Sequence, residues 1–477
     1  MQKSDANMVY IKSVQNLQYI TERIDDLISI VGPSTKVQCT RQTLFQELAS
    51  LITKELPTAV ILPYGSFQSH CYLFNSDIDF CCWNKDEEEQ VTARRVLKVL
   101  SGIELQNLVH IDAEVPVIKF TYQDVGFDIS FTQPAGVLTA YFLELIDNYI
   151  GKNHLLKRSL VFIQCYCINE LHILGSHNFM LSSYGLRTLV IFILLHQSQI
   201  TTPLQALYAF LAYFSSFDFS QNLITIFGAV PREDFESCDT AQSFFDKQVS
   251  QFVHKKFNDK ELQLAKEIKH LIALRVASDG NILEQKGLKN CLQNYKKSDQ
   301  NRQEYSAQCQ EFFQYLDEKI ILQDENISNT QFLQALSKTL DEFVRSALLI
   351  KFFQDQKPPF QFRSVNIADP LLPSNNIGKT VSESSMKRMK RVFQLGYYNI
   401  QRLIKLTLDG QNSVADCVAE FDLNFVHTLS ICNLEMLARH ADNDCEVLQG
   451  NKMELQNASI SVVYQGLGMT VHMDGSE

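Results

Sequence analysis

Asp77 and Asp79, in Ser76-Asp77-Ile78-Asp79-Phe80, are two acids one residue apart in a run that is otherwise largely apolar. Side chains alternate along an extended strand, so the two carboxylates share one face about 7 Å apart, while Ile78, Phe80 and Cys82 share the other. A third acid has the same setting in Phe127-Asp128-Ile129-Ser130-Phe131, where Phe127, Ile129 and Phe131 face a core and Asp128 faces away. Carboxylates gathered on one face repel unless a cation neutralises them. Magnesium suits such a group, because it is a hard ion held by one or two carboxylates together with substrate phosphates. Three acids have the capacity for two ions, one polarising an attacking hydroxyl and the other a triphosphate, as in-line phosphoryl transfer requires. Upstream, Gly65 and Ser66 in Tyr64-Gly65-Ser66-Phe67 add a backbone without Cβ and a hydroxyl, both suited to phosphate oxygens. An Asp-x-Asp pair alone is common on exposed strands, so the weight lies in the whole spacing.

The elements that must position these groups are legible as patterns. Apolar, β-rich runs at 59–62, 78–83, 115–122 and 127–131, with a helical pattern over 90–100, predict a small mixed sheet carrying helices. From residue 137 the periodicity becomes helical, through 159–171, 183–196 and 204–214, which predicts a helical domain after the sheet domain. The expected fold class is therefore α+β and bilobed, with a cleft between a small mixed-sheet domain and a mainly helical one. Residues 230–360 are helical in pattern but polar, with Leu262, Ala265, Ile268, Leu271 and Ile272 on one face; 298–303 is the most linker-like stretch. Pro358-Pro359 closes this block, since prolines break helices and force extended backbone.

A chain of 477 residues, 45% hydrophobic and 20% charged, is long enough for two to four units at ~150 residues each. Its 12 cysteines lie at irregular positions without a C-x-x-C pair, which points to reduced thiols in a cytoplasmic or nuclear protein. The N-terminus lacks an apolar signal-peptide core, and the longest apolar stretch, 189–195, falls far short of the ~18 residues needed to span a bilayer, so no membrane association is expected. A formal charge of −11 excludes a globally basic nucleic-acid binder. Locally, Lys379, Lys387, Arg388, Lys390, Arg391, Arg402 and Lys405 stand against Glu383 alone, with Tyr397-Tyr398 nearby. This is either an RNA-backbone groove or a solvated helix face.

Gly-Ser followed ten residues later by Ser-Asp-x-Asp, with a further strand aspartate downstream, resembles the signature of the DNA polymerase β nucleotidyltransferase superfamily. Leu181-Ser182-Ser183-Tyr184-Gly185-Leu186 is similar to that family's Ser-Tyr element, in which the serine meets the triphosphate and the tyrosine stacks on the base; without that resemblance it reads as a helix cap with a core tyrosine. The stretch 204–227 resembles the start of the poly(A) polymerase-associated domain. The stretch 367–379, Ile-Ala-Asp-Pro-Leu-Leu-Pro-Ser-Asn-Asn-Ile-Gly-Lys, resembles the nucleotide-recognition motif of noncanonical poly(A) polymerases and terminal uridylyltransferases.

The resemblance, over roughly 40–228 and 361–405, implies a nucleotidyltransferase catalytic domain at 40–134. It implies a helical poly(A) polymerase-associated domain from 1–39, 135–229 and 361–408, an inserted helical module at 230–360, and an extension of unassigned role at 409–477. The activity implied is template-independent addition of AMP or UMP to RNA 3′ ends. Two Mg²⁺ or Mn²⁺ ions would be held by Asp77, Asp79 and Asp128. Gly65, Ser66 and Ser183 would meet phosphates, Thr139 the ribose, Tyr184 the base face, and Asp369, Asn375 and Lys379 the base edge. Asn375 stands where strongly UTP-preferring relatives carry His, which leans to ATP and leaves UTP open. The chain departs from the family at Val161-Phe162-Ile163-Gln164, where a lysine is usual, and Lys157 and Arg158 either compensate or form a solvated helix start. Implied partners are the RNA 3′ end and, through 230–360, a protein of an RNA-processing complex such as those with a helicase or an RNA-dependent RNA polymerase. Two alternatives stay open: a subunit with this fold but little or no activity, and a nucleotide second-messenger or oligoadenylate synthase.

Overall fold

A computed structural model of the chain describes residues 15–84, 87–112, 116–131, 134–236, 360–408 and 412–427. Two helices open it, α1 (Gln15–Val31) and α2 (Thr35–Glu55), the second capped by Ser34, whose side chain accepts from the Val37 N–H. The sheet region follows as β1 (Ala59–Tyr64), the single turn α3 (Gly65–Gln68), β2 (Ile78–Asn84), α4 (Glu89–Leu100), β3 (Gln106–Ile111), β4 (Val117–Tyr122) and β5 (Val125–Phe131). Its strand order is β1-β2-β5-β4-β3. β2 and β5 are parallel and the other neighbours antiparallel, a mixed sheet as expected.

Alternation along the strands decides which face is buried. Ile78, Phe80 and Cys82 of β2 join Ile118, Phe120, Phe127, Ile129 and Phe131 in one core with Leu44, Leu48 and Ile52 of α2 and Ala93, Val96 and Leu100 of α4. Phe120 and Phe127 stack at 5.4 Å between ring centroids, and Phe45 meets Phe80 edge-on at 5.6 Å. β3 was not anticipated, because it is an edge strand with no buried position, whose apolar Val109 and Ile111 are exposed and so give no core-facing alternation to read. α2 packs on this sheet, so the sheet unit starts before residue 40.

The helical lobe comprises α1, α5 (Pro134–Ile150), α6 (Leu155–Asn169), α7 (Ser183–His196), α8 (Pro203–Phe214), the hairpin β6 (Asn222–Thr225) and β7 (Gly228–Pro231), the turn α9 (Arg232–Glu236), α10 (Glu383–Leu408) and α11 (Val414–Phe425). α7 is buried on all sides from Gly185 to Leu194, which accounts for its apolar run; among the described residues no helix is long and apolar enough to cross a membrane. α10 lies close to its neighbours at Gly396, where a Cβ would sit 2.8 Å from the Tyr166 hydroxyl. The lobe does not end at 408. α11 packs on α1 through the Arg23–Asp422 ion pair (3.2 Å), and Phe421 and Phe425 meet Phe162 and Tyr166. The two lobes meet where α5 packs on β1 and α3, with Gly136 against the Tyr64 ring. Most of 230–360, including its amphipathic faces and the linker-like 298–303, lies outside the described residues, as do a helix expected over 425–439 beyond residue 427 and a strand expected at 459–464.

Candidate active site

β2 and β5 run parallel in a register that sets Asp79 beside Asp128, and β1 sets Tyr64 beside Asp79. The chain leaves β1 through Gly65, whose φ of +69° favours glycine and whose notional Cβ would lie 2.5 Å from Asp79 Oδ2. Gly126 does the same for Asp77, with a notional Cβ 2.0 Å from Oδ1. Two missing side chains therefore make room for two carboxylates. Asp77 is exposed, whereas Asp79 and Asp128 are partly buried. Burial, then the charges of Asp128 and Asp77, push the Asp79 carboxyl up to about 7, while Arg187 and Lys119 draw it back down. Burial and Asp128 raise Asp77 as well, against Lys119 and Arg41. The acids are thus close enough to feel one another.

They do not form a closed ligand set: among the described residues no group of three His, Cys, Asp or Glu side chains is arranged to hold a metal ion. Asp128 pairs instead with Lys119, its cross-strand neighbour on β4. The donor set nonetheless fits a hard divalent cation, since the carboxylates are oxygen donors whose mutual repulsion a cation would relieve. Arg41 is buried and donates to the Phe74 (2.8 Å) and Ser76 (2.5 Å) carbonyls, bracing the loop that delivers Asp77.

At the start of α7 the cap is Ser182, which accepts from the Gly185 N–H at 3.0 Å, leaving Ser183 exposed. The Tyr184 hydroxyl donates to Asp369 Oδ1 at 2.9 Å. Buried Asp369 also accepts from the Leu371 N–H (3.0 Å) and Asn375 Nδ2 (3.1 Å), and Lys379 Nζ donates to Asn375 Oδ1 at 3.2 Å. Four residues singled out in the sequence are thereby linked in one network, in which three donors engage Asp369 and it holds Tyr184 and Asn375. The loop itself hangs on Asn376: its Nδ2 donates to Gln361 O, Val365 O and Asn366 Oδ1, and its Oδ1 accepts from the Ile367 and Gly378 N–H groups. Thr139 turns its hydroxyl to the Ala135 carbonyl of its own helix, at 2.9 Å. Ser66 is buried at the start of α3.

Two sequence expectations change. Lys157 pairs with Glu144 at 2.6 Å and Arg158 with Asp25, so both cations at this helix start are engaged rather than solvated. Tyr397 packs on Tyr208 at 5.8 Å, which leaves Tyr398 as the exposed ring of the pair. Lys119, Arg187 and Asn376 escaped the sequence reading. Lys119 was findable, since it sits between Ile118 and Phe120 and so shares a face with Asp128; Arg187 was findable as a charge inside an apolar helix. Asn376 gave no signal, because its role is to satisfy backbone groups that only the folded loop brings together.

Residues 150–274 and 284–428 match the PAP/OAS1 substrate-binding domain, and residues 20–148 match the central palm domain of mitochondrial-like poly(A) RNA polymerase. The first match runs through most of 230–360, leaving 275–283 between its parts. The chain is 29% identical over 182 residues to "Poly(A) RNA polymerase cid14" of Schizosaccharomyces pombe, covering 35% of this chain and 25% of that protein. It is 28% identical over 186 residues to "Poly(A) RNA polymerase CID14" of Cryptococcus neoformans, covering 37% and 24%. A solved structure of the Cid1 poly(U) polymerase is similar at 16% identity and a TM-score of 0.43, over 80% of this chain and 94% of that one. The chain thus spans about a quarter of the length of the curated relatives it matches. With the matched domains extending over most of its length, the chain belongs to the noncanonical poly(A) polymerase and terminal uridylyltransferase family of nucleotidyltransferases.

Proposed function

We propose that this protein is a template-independent RNA nucleotidyltransferase that transfers AMP from ATP to the 3′-hydroxyl of RNA, with UTP as the second nucleotide to test. The observation that carries the reading is the placement of Asp79 beside Asp128 on parallel strands, with the Gly65 turn against the Asp79 carboxylate. It joins co-facial acids to a phosphate-suited turn at one end of the sheet. The lean to ATP rests on Asn375 and on the name poly(A) RNA polymerase borne by the matched relatives.

Asp77, Asp79 and Asp128 would hold two Mg²⁺ or Mn²⁺ ions, which when bound supply a more acidic 3′-hydroxyl and charge neutralisation at the triphosphate. Asp128 is the acid that has to exchange a partner, since Lys119 holds it otherwise; it would also take the hydroxyl proton. The Gly65 backbone, Ser66 and Ser183 bind phosphate oxygens, Ser183 from the N-terminus of α7, where the helix dipole favours an anion. Tyr184, steadied by Asp369, offers its ring to the base. Asn375 donates from its amide nitrogen to Asp369, and its Oδ1, which accepts from Lys379 Nζ, keeps one further acceptor position for the adenine amine. Exposed Arg388, Arg391 and Tyr398 on α10 offer charge and stacking surface to RNA. Residues 230–360 dock a protein partner, and the free thiols of the described cysteines fit a cytoplasmic or nuclear location.

The test is incubation of the full chain with Mg²⁺ or Mn²⁺, labelled single-stranded RNA and each NTP separately. A ladder above the input RNA with ATP, abolished by the Asp77→Asn/Asp79→Asn double substitution, is the expected result. A soluble oligonucleotide product made without RNA points to an oligoadenylate or second-messenger synthase. No product with any NTP from folded protein points to a non-catalytic subunit, and both outcomes overturn the proposal.

A further inference from the structure

From Gly185 to Leu195, α7 carries a single charged residue, Arg187. Its side chain is almost wholly buried, at 7% exposure, and its Nε has no hydrogen-bond partner; among the described residues the guanidinium makes no ion pair. Taking a cation out of water without a counter-charge is costly, and folded proteins tolerate it where an anion arrives later. The direction in which that anion would lie follows from the helix. Residues three and four apart share a face, so Arg187 lies beneath Tyr184 and Ser183 at the start of α7. Arg187 therefore continues the Ser183-Tyr184 face of α7, and α5 packs both on α7 and on β1 and α3 of the sheet lobe.

Among the described residues, five other cations of the site and its flanking helices are each engaged. Lys119 pairs with Asp128, Lys157 with Glu144 and Arg158 with Asp25, while Arg41 is held by two backbone carbonyls and Lys379 by Asn375. α6, packed against α7, adds the buried Gln164, whose Oε1 also lacks a partner and which brings no charge. A planar guanidinium with unused donors matches phosphate oxygens in a two-point geometry that a point charge does not reproduce.

We propose that Arg187 binds the triphosphate of the incoming nucleotide, supplying from α7 the positive charge that the neighbouring helix lacks. This rests on the nucleotidyltransferase reading and deepens it by assigning a residue to the nucleotide's anionic end. A structural role for Arg187 predicts the opposite pattern of stability and binding, so the two are separable.

The experiment compares wild-type full chain with Arg187→Met, which keeps the length and removes the charge, and with Arg187→Lys. Binding of ATP and of AMP is measured in Mg²⁺, together with KM for ATP in RNA extension and the melting temperature without nucleotide. Arg187→Met is expected to weaken ATP binding and raise KM by ~10- to 100-fold, the loss of a charge-assisted contact, while AMP binding stays within about twofold. Arg187→Lys is expected to recover a large part of the loss. The unliganded Met variant is expected to melt at or above the wild-type temperature, because an unpaired buried charge has been removed. The assignment is overturned if Arg187→Met binds ATP like wild type, if it loses ATP and AMP alike, or if it melts well below wild type with its preference for ATP over AMP intact. Wild-type protein that binds no NTP overturns the nucleotidyltransferase reading itself, whereas a wild type that binds and extends RNA confines any failure to Arg187.

Discussion

Gly65→Ala tests the closest approach in the site. The residue has φ +69°, and an added methyl would lie 2.5 Å from Asp79 Oδ2 and 3.2 Å from its Cγ. Holding alanine in the left-handed region costs about 1–2 kcal/mol. Spread over a lobe of this size, that corresponds to a melting point lower by about 2–8 °C. The contact costs more in function than in stability, because the carboxylate is the movable partner. Restoring an ordinary ~3.4 Å contact displaces Oδ2 by about 1 Å, and a misplacement of that size in a reacting group costs on the order of 10²-fold in rate. The assay is RNA extension at saturating ATP alongside a thermal melt, with Gly102→Ala as the control, since a methyl there meets only the Val99 carbonyl at 3.2 Å and the backbone has ordinary φ. A folded Gly65→Ala protein extending RNA within about twofold of wild type would refute the argument that the Gly65 turn and Asp79 are positioned against each other for catalysis.

Tyr184→Phe removes one of three donors on buried Asp369 and should raise KM for ATP by ~10- to 100-fold, the value of about one hydrogen bond to a carboxylate, with the ring still in place; an unchanged KM in steady-state assays counts against Asp369 as a positioning residue. Asn376→Ala strips five hydrogen bonds from the recognition loop, leaves buried backbone groups unpaired, and should lower stability by roughly 3–5 kcal/mol in denaturant titration; a loss under about 1 kcal/mol would mean the loop is held elsewhere. Asp79 sits at about 7 against an ordinary 3.8, raised by burial and then by Asp128 and Asp77, so the folded state takes up a proton more readily than the unfolded one. Its destabilising contribution is therefore complete above that pH and relieved below it, and in EDTA the melting temperature should rise from pH 8 to 6.5. Saturating Mg²⁺ or Asp79→Asn should flatten the trend, and a flat wild-type profile in EDTA would remove its basis.

The fold class was legible because its signals are local. Two-residue alternation at 78–83 and 127–131 and the apolar helical runs at 183–196 and 204–214 reflect burial, and burial is written into residue type at fixed periods. The helix Ser183–His196 begins and ends where its cap and periodicity place it. β3 was missed because an edge strand with little burial leaves no such trace. The extent of the helical lobe was missed because the docking of α11 on α1 depends on Arg23 and Asp422, nearly four hundred residues apart.

For the site, the sequence by itself determined which residue types are available and on which side of a strand or helix they stand: acids opposite a core face, a glycine at a turn, a serine and tyrosine at a helix start. Pairing across elements was decided only by the tertiary structure. That Asp79 neighbours Asp128, that Lys119 pairs with Asp128, that Asp369 holds Tyr184 and Asn375, and that Arg187 is buried without an ion pair all depend on register and lobe packing. The physical reason is range. Propensity and periodicity act over a few residues, whereas charge pairing and buried hydrogen bonds act through space between segments whose separation along the chain carries no information about their contact.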